Sequence, residues 1–293
     1  MGFRSGFVAV VGRPNVGKST LVNALVGQKV AIVSDKPQTT RRGIRGVRTT
    51  EEYQVVFTDT PGFHKPRTLL GERLNEVVAE AVEGVDLIVQ VVDAAAGVGR
   101  GDAYVYEHRV APHPVPRFCA VNKIDLVPHR ELPPQLQAAA DLGDFDEIVP
   151  VSAREGKGIG LLLDLIVERL PEGPPYYPPG EVTDQPLEIR LAEIVREKAL
   201  ALTREEVPHS IAVVVDEVAC EDGLTRVGAT IVVERESQKG IVIGRGGAML
   251  KTIGTRAREE MELLLGSKVF LELRVKVLKE WQRDPSALAR LGL

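Results

Sequence analysis

At 293 residues, with 44% hydrophobic and 27% charged side chains and a formal charge of −4, the chain has the length of about two domains and the composition of an ordinary globular protein. No run of about 18 uncharged apolar residues marks a membrane span, and the opening MGFRSGFVAVVG is too short and glycine-broken for a secretory signal, so a cytoplasmic address is expected. Cys119 and Cys220 are far apart and without company, which argues against a disulfide framework or a zinc site and for reduced, buried thiols.

In chain order, FVAVV (7–11), YQVVFT (53–58), VDLIVQVV (85–92), RFCAV (117–121) and EIVPV (147–151) are short β-branched runs that predict strands. Leu69–Glu83 and Ile159–Leu170 repeat apolar residues at helical spacing. Strands alternating with helices predict an α/β domain with a mostly parallel sheet. LPEGPPYYPPGEVTDQP (170–186) then places six prolines and two glycines in 17 residues, the composition of a linker. The expected division is a first domain over 1–172, a linker over 173–186 and a second domain over 187–293. The second domain reads as a helix (Leu187–Thr203), strands in SIAVVVDEV and TRVGATIVVER, two helices around GRGG, and a strand in KVFLELRVKVLK. This predicts a smaller α+β fold.

The break in VVGRPNVGKSTLVNAL (10–25) matches GxxxxGKS at Gly12, Gly17, Lys18 and Ser19, after a predicted strand and before a predicted helix. Glycines let backbone N–H groups turn inward and form an anion nest at a helix N-terminus, where phosphate is attracted. Lys18 would reach the β and γ phosphates, and the Ser19 hydroxyl would ligate Mg²⁺. FTDTPGF supplies Asp59 for the metal shell and Gly62, whose N–H can approach a γ-phosphate. DKPQTTRRG has no period and reads as a mobile loop, in which Thr39 or Thr40, with Thr40 favoured, would complete the metal shell. VNKIDL places Asn122, Lys123 and Asp125 at the end of a predicted strand, the rim where doubly wound sheets bind ligands. A carboxylate at Asp125 accepts from the guanine N1–H and 2-amino group, which adenine lacks. Ser152 and Ala153 follow the next strand, where their backbone could meet the guanine carbonyl.

The sequence GRPNVGKST, PQTTRRG, DTPGFHKP, NKID and SA, in that order, resembles the translation-factor-like GTPases and, among them, the Era family. The resemblance covers essentially the whole chain and implies a P-loop GTPase domain followed by a type II KH domain that binds RNA. On those motifs it implies a GTP site over Gly12, Arg13, Pro14, Asn15, Val16, Gly17, Lys18, Ser19 and Thr20, then Asp59, Thr60, Pro61, Gly62 and Phe63, then Asn122, Lys123, Asp125, Ser152 and Ala153, with Mg²⁺ held by Ser19 and Thr40. In the second domain, Gly244, Arg245, Gly246 and Gly247 form a GxxG turn of the kind that clamps about four nucleotides. The window 235–258 holds six basic residues against Glu236, so Arg235, Lys239, Arg245, Lys251, Arg256 and Arg258 would meet phosphates.

Phe63 stands where Ras-like switches carry a water-orienting glutamine. A phenyl ring cannot align water, so slow intrinsic hydrolysis is expected, accelerated by a cation, a backbone-held water, or contacts with RNA and the ribosome. Asn15 resembles the asparagine by which related GTPases hold K⁺; the alternative is an asparagine that only stabilises the loop turn. The group that activates the water is left unassigned. The resemblance further implies action on the 3′ end of 16S ribosomal RNA and in 30S subunit maturation, by a monomer with some peripheral membrane association at the inner face. Two other readings are a GTP-controlled tRNA-modifying or metabolic enzyme and a membrane-anchored GTPase. The first lacks a catalytic cysteine context at Cys220, and the second is opposed by acidic residues at 259, 260 and 262 in TRAREEMELLL.

Overall fold

The run that ends at Gly12 becomes β1 (Arg4–Gly12), in which Val8, Ala9, Val10 and Val11 are fully buried. A strand covered on both faces needs no polar alternation, which is why it reads as continuous VAVV. The computed structural model describes residues 2–36, 38–66, 68–221 and 223–293; Pro37 of the expected mobile loop lies outside them. Residues 2–33, 40–66 and 71–184 form one unit, and residues 34–39, 68–70 and 185–293 form a second.

In the first unit, β1 is followed by α1 (Lys18–Val26), β2 (Ile44–Thr49), β3 (Tyr53–Asp59), α2 (Leu69–Ala81), β4 (Leu87–Asp93), α3 (Arg100–Val105), β5 (Arg117–Asn122), α4 (Leu132–Ala140), β6 (Glu147–Pro150) and α5 (Ile159–Arg169). The sheet order is β2-β3-β1-β4-β5-β6. Neighbours are parallel except β2, which runs against β3 with Arg45 opposite Thr58. Val8, Val10, Val89, Val91, Phe118 and Ala120 face one core with Leu21, Leu25, Leu162 and Ile166. Ala9, Val11 and Ile88 face another with Val78, Val82 and Val105. The sheet is thus sandwiched between helix layers, and its strands end together at Gly12, Asp59, Asp93 and Asn122.

Two features differ from the sequence reading. Just after the unperiodic DKPQTTRRG stretch, where no element was expected, Ile44–Thr49 forms β2, an edge strand whose exposed face carries Arg45. The proline-rich stretch is not a free linker through its first part. Ser5 N donates to Pro171 O at 3.1 Å, Gly173 N to Phe3 O at 3.0 Å, and Val47 N to Val182 O at 2.9 Å. The fully buried Gln54 accepts from the N–H groups of Tyr176 (2.6 Å) and Tyr177 (2.9 Å) and donates to Tyr177 O at 2.9 Å. Prolines cannot continue a ladder, but the N–H groups between them can bond outward, so the segment straps the sheet edge.

The second unit contains α6 (Leu187–Leu202), α7 (Val207–Ser210), β7 (Ala212–Glu221), β8 (Leu224–Val233), α8 (Glu236–Ile243), α9 (Ala248–Leu265), β9 (Lys268–Val277) and α10 (Pro285–Arg290). Its sheet order is β7-β8-β9, with β7 antiparallel and β9 parallel to β8. A parallel pair needs a crossover, and α8 and α9 with the turn between them supply it. Leu191, Val195, Ile231, Val233, Val242, Ile253, Ala257 and Met261 fill the core. Gln238 accepts from Glu234 N (2.9 Å) and Arg235 N (3.0 Å) and donates to Ser210 Oγ (2.9 Å), fixing the start of α8. Buried Trp281 donates to Ser210 O at 3.0 Å and seals the C-terminal turn, which the sequence reading left without structure. Cys119 is buried as expected, whereas Cys220 is exposed near the end of β7, where the strand's burial falls away after Ala212.

Candidate functional site

The carboxyl ends of β1, β3, β4 and β5 carry most of the expected nucleotide residues. Gly17, in the left-handed region at φ 95°, starts α1, and no side chain caps that helix, so the amides of its first turn are left for a ligand. Asn15 also has positive φ, 64°. Lys18 is buried, and its Nζ donates to Gly12 O (3.2 Å) and Arg13 O (2.9 Å). Burial pulls the amine down to about 8, partly opposed by the charge of Asp59. A phosphate beside it would restore the charged form.

Ser19 Oγ donates to Asp59 Oδ2 at 2.7 Å and lies 3.0 Å from Thr40 Oγ1, which in turn donates to Asp59 Oδ2 at 2.9 Å. Thr39 instead turns its hydroxyl to Lys36 O at 2.6 Å. Asp59 Oδ1 is buried without a hydrogen-bond partner among the described residues, and burial raises the carboxyl above its ordinary range despite Lys18. Two hydroxyls and a carboxylate with an orphaned oxygen are the hard donors that suit Mg²⁺. The residues fit that ion, which Ser19 and Thr40 would hold with Asp59 beside them.

The DTPGF segment is fastened at several points. Buried Thr60 donates from Oγ1 to Val10 O at 2.8 Å, and Pro61 is buried beside it. Gly62 lies so near the phosphate loop that a Cβ there would stand 2.5 Å from Pro14 Cα; no other residue type fits. Phe63 N donates to Gly12 O at 3.1 Å. The Phe63 ring is buried, stacked on Tyr104 at 5.3 Å with the Arg109 guanidinium 4.2 Å from its centroid. His64 Nδ1 is 3.0 Å from Gly62 O.

Asn122 ties the base end together. Its Nδ2 donates to Val16 O at 2.9 Å, and its Oδ1 accepts from Ala153 N at 3.0 Å. Lys123, at φ 66°, bridges from Nζ to Asn15 O (2.7 Å) and Asp93 Oδ2 (2.5 Å). Asp93 escaped the sequence reading. It ends β4 and also accepts from the N–H groups of Ala95 and Ala96 at 2.9 and 3.0 Å; the strand-ending VVDAAAG pattern was its only signal. Ser152 Oγ donates to Asp125 Oδ1 at 2.6 Å, and Asp125 accepts no other hydrogen bond from the described residues. Ser152 N donates to Lys157 O at 2.9 Å and Ala153 N to Asn122, so these two residues brace Asn122 and Asp125. Thr20 and Val16 lie within the phosphate loop and α1, with Val16 buried in the core.

In the second unit the GRGG segment is a tight turn between α8 and α9, with φ of 73°, 58° and 80° at Gly244, Gly246 and Gly247. Arg235, Arg245, Lys251 and Arg256 are exposed and Lys239 partly so. None of the five forms an ion pair among the described residues. Arg258 differs: it lies 3.5 Å from Glu262, which Lys268 also approaches at 3.6 Å. Lys251 and Arg256 project from α9 away from its buried Ile253–Ala257–Met261 stripe. The acidic Glu260 on the same helix pairs with Lys198.

The family model described as a 50S ribosome-binding GTPase matches residues 7–123, and a KH-domain model matches residues 206–282. The chain is 53% identical over 295 residues to the GTPase Era of Mycolicibacterium smegmatis and 52% identical over 296 residues to that of Mycobacterium tuberculosis, covering 99% of each chain. It also matches a crystal structure of Era in complex with MgGDPNP and nucleotides 1506–1542 of 16S ribosomal RNA, at TM-score 0.96, 42% identity and 99% coverage of both chains. A variant of Aquifex aeolicus Era bound to GDP·AlF4⁻ matches with the same TM-score, identity and coverage.

Proposed function

Because this chain belongs to the Era family of GTPases, we propose that it is a GTP-hydrolysing switch that binds the 3′ end of 16S ribosomal RNA and assists 30S subunit maturation. The full-length likeness to an Era chain in complex with MgGDPNP and nucleotides 1506–1542 of that RNA carries the reading. We assign the nucleotide to the first unit and the RNA to the α8–GRGG–α9 region of the second.

Each residue has a part in this account. The phosphate-loop amides and Lys18 hold the β and γ phosphates, and Asp125, steadied by Ser152, selects guanine. Mg²⁺, when held by Ser19 and Thr40, offsets phosphate charge. Phe63, packed between Tyr104 and Arg109, supplies no group to orient water, so the attacking water depends on backbone and cation. No helix among the described residues is long and apolar enough to cross a membrane. Peripheral membrane association and a monomeric state rest on the family resemblance alone.

The potassium reading of Asn15 is tested by single-turnover hydrolysis, which is expected to be slow in Na⁺ and faster in K⁺. Since Asn15 sits at φ 64°, Asn15→Gly is the informative variant: it keeps the left-handed backbone and removes only the carboxamide. It is expected to abolish the difference between the two salts. Equal wild-type rates in both would contradict the cation role and leave the GTPase assignment standing. The RNA assignment is tested by binding to the 3′-terminal 16S segment, as set out in the Discussion.

A further inference from the structure

We propose that Arg13 and Asp102 form a positioning pair for hydrolysis, holding the crest of the phosphate loop against α3 so that the crest and the Gly62–Phe63 backbone keep one register. The proposal rests on the GTP-hydrolysing reading above. Arg13 lies inside GxxxxGKS, yet its side chain is committed away from the helix start. Its Nε donates to Asp102 Oδ1 at 2.7 Å and its Nη2 to Gly97 O at 3.1 Å. Its stem lies along the start of α3, where a Cβ on Gly101 would stand 2.5 Å from Arg13 Cδ.

Asp102 is fully buried and itself held on two other sides. Its Oδ2 accepts from Gly99 N at 3.0 Å, and its carbonyl accepts from Nε2 of buried Gln90 at 2.9 Å. Asp102 is buried but the Arg13 side chain is 29% exposed, and an ion pair open to solvent on one side contributes little to stability by itself. What the pair provides is a fixed distance between two elements.

The second of those elements also grips Phe63. Tyr104 on α3 stacks on the ring, and Arg109, in the π-helical turn Tyr106–Val110 that continues α3, covers it. The third side is closed by the Phe63 N–H bond to Gly12 O and the close approach of Gly62 to Pro14. Phosphate-loop crest, α3 and the DTPGF segment therefore form a closed loop of contacts. With no side chain at position 63 able to align water, the attack geometry depends on where these backbones stand. A misplacement of about 1 Å costs on the order of a hundredfold in rate.

The test uses full-length protein and compares single-turnover GTP hydrolysis with the affinities for GDP and GDPNP. Asp102→Asn keeps an acceptor for Gly99 N and weakens the pair; it is expected to slow hydrolysis about tenfold or more while both affinities stay within about threefold. Arg13→Lys retains one donor and is expected to fall between. Arg13→Met combined with Asp102→Asn is expected to be no slower than Asp102→Asn alone, because residues acting as a unit are not additive. A folded Asp102→Asn protein with the wild-type rate would overturn the proposal. So would affinities that fall in parallel with the rate, the mark of a merely structural role. If Asp102→Asn fails to fold, Arg13→Lys at the partly exposed partner decides: a wild-type rate there overturns the proposal. Wild-type protein that fails to hydrolyse GTP would contradict the underlying reading instead.

Discussion

Asp125→Asn is expected to lose GDP and GTP affinity by about a hundredfold to ten-thousandfold and to gain affinity for xanthine nucleotides. One carboxylate oxygen is held by Ser152 Oγ at 2.6 Å, which orients the group without exhausting its acceptor capacity. Guanine offers two donors on one edge, and hydrogen bonds to a charged partner contribute roughly 1.5 to 3 kcal/mol each. Their loss amounts to roughly 3 to 6 kcal/mol, which is the stated range in affinity. The amide of asparagine presents a donor where guanine also presents one, whereas the 2-carbonyl of xanthine accepts it. Equilibrium titration with fluorescent GDP and XDP reads both changes. A variant within about threefold of wild type for GDP, a difference under about 1 kcal/mol, would remove the guanine assignment.

The elements most legible in the sequence were those whose chemistry is local. Gly12, Gly17, Lys18 and Ser19 lie within eight residues between a strand and a helix, so spacing and flanks define the nest. What escaped was set by distant partners. Asp93 acquires its role only because Lys123 of the neighbouring strand end reaches it at 2.5 Å. The Asn122 side chain bonds Val16 and Ala153 and so joins three loops that sequence alone does not bring together. β2 was hidden because an edge strand that carries Arg45 and Arg48 has neither the continuous apolar run of a central strand nor a clean alternation. The strap over 171–184 was misread because composition reports what a segment can do by itself. It does not report that Gln54, more than a hundred residues earlier, accepts two of its N–H groups.

The second large effect is expected in the other unit. Arg245→Asp with Gly246→Asp places two carboxylates in the GRGG turn, where an RNA backbone has to pass close. The site tolerates the change: Arg245 is exposed, and a Cβ on Gly246 meets no atom within 4 Å. Its backbone at φ 58°, ψ 24° is one that Asp adopts more readily than most residues. Gly244 would be a poor choice, since a Cβ there would stand 2.6 Å from Met249 Cβ. Removing one cation and adding two anions is expected to weaken binding of single-stranded ribosomal RNA by roughly a hundredfold or more, about 3 kcal/mol. The slope of log affinity against log salt is expected to fall by about 1. GDP and GTP affinities stay at the wild-type level, and any stimulation of hydrolysis by RNA is lost. Circular dichroism and a melting curve establish that the second unit is folded. A folded double variant that retains wild-type RNA affinity would sink the role of the turn.

The central claim is that one chain joins a GTP-hydrolysing site to recognition of a particular RNA. It is tested most directly by titrating full-length protein, loaded with Mg²⁺ and GDPNP, against a labelled RNA comprising the 3′-terminal segment of 16S ribosomal RNA. A length-matched segment from elsewhere in the same RNA is titrated at the same salt. The expected result is saturable binding of the 3′ segment that exceeds binding of the control by about a thousandfold or less but well over tenfold, as for a specific single-stranded reader set against its own electrostatic background. Equal affinity for the two RNAs, or none for either, would contradict it.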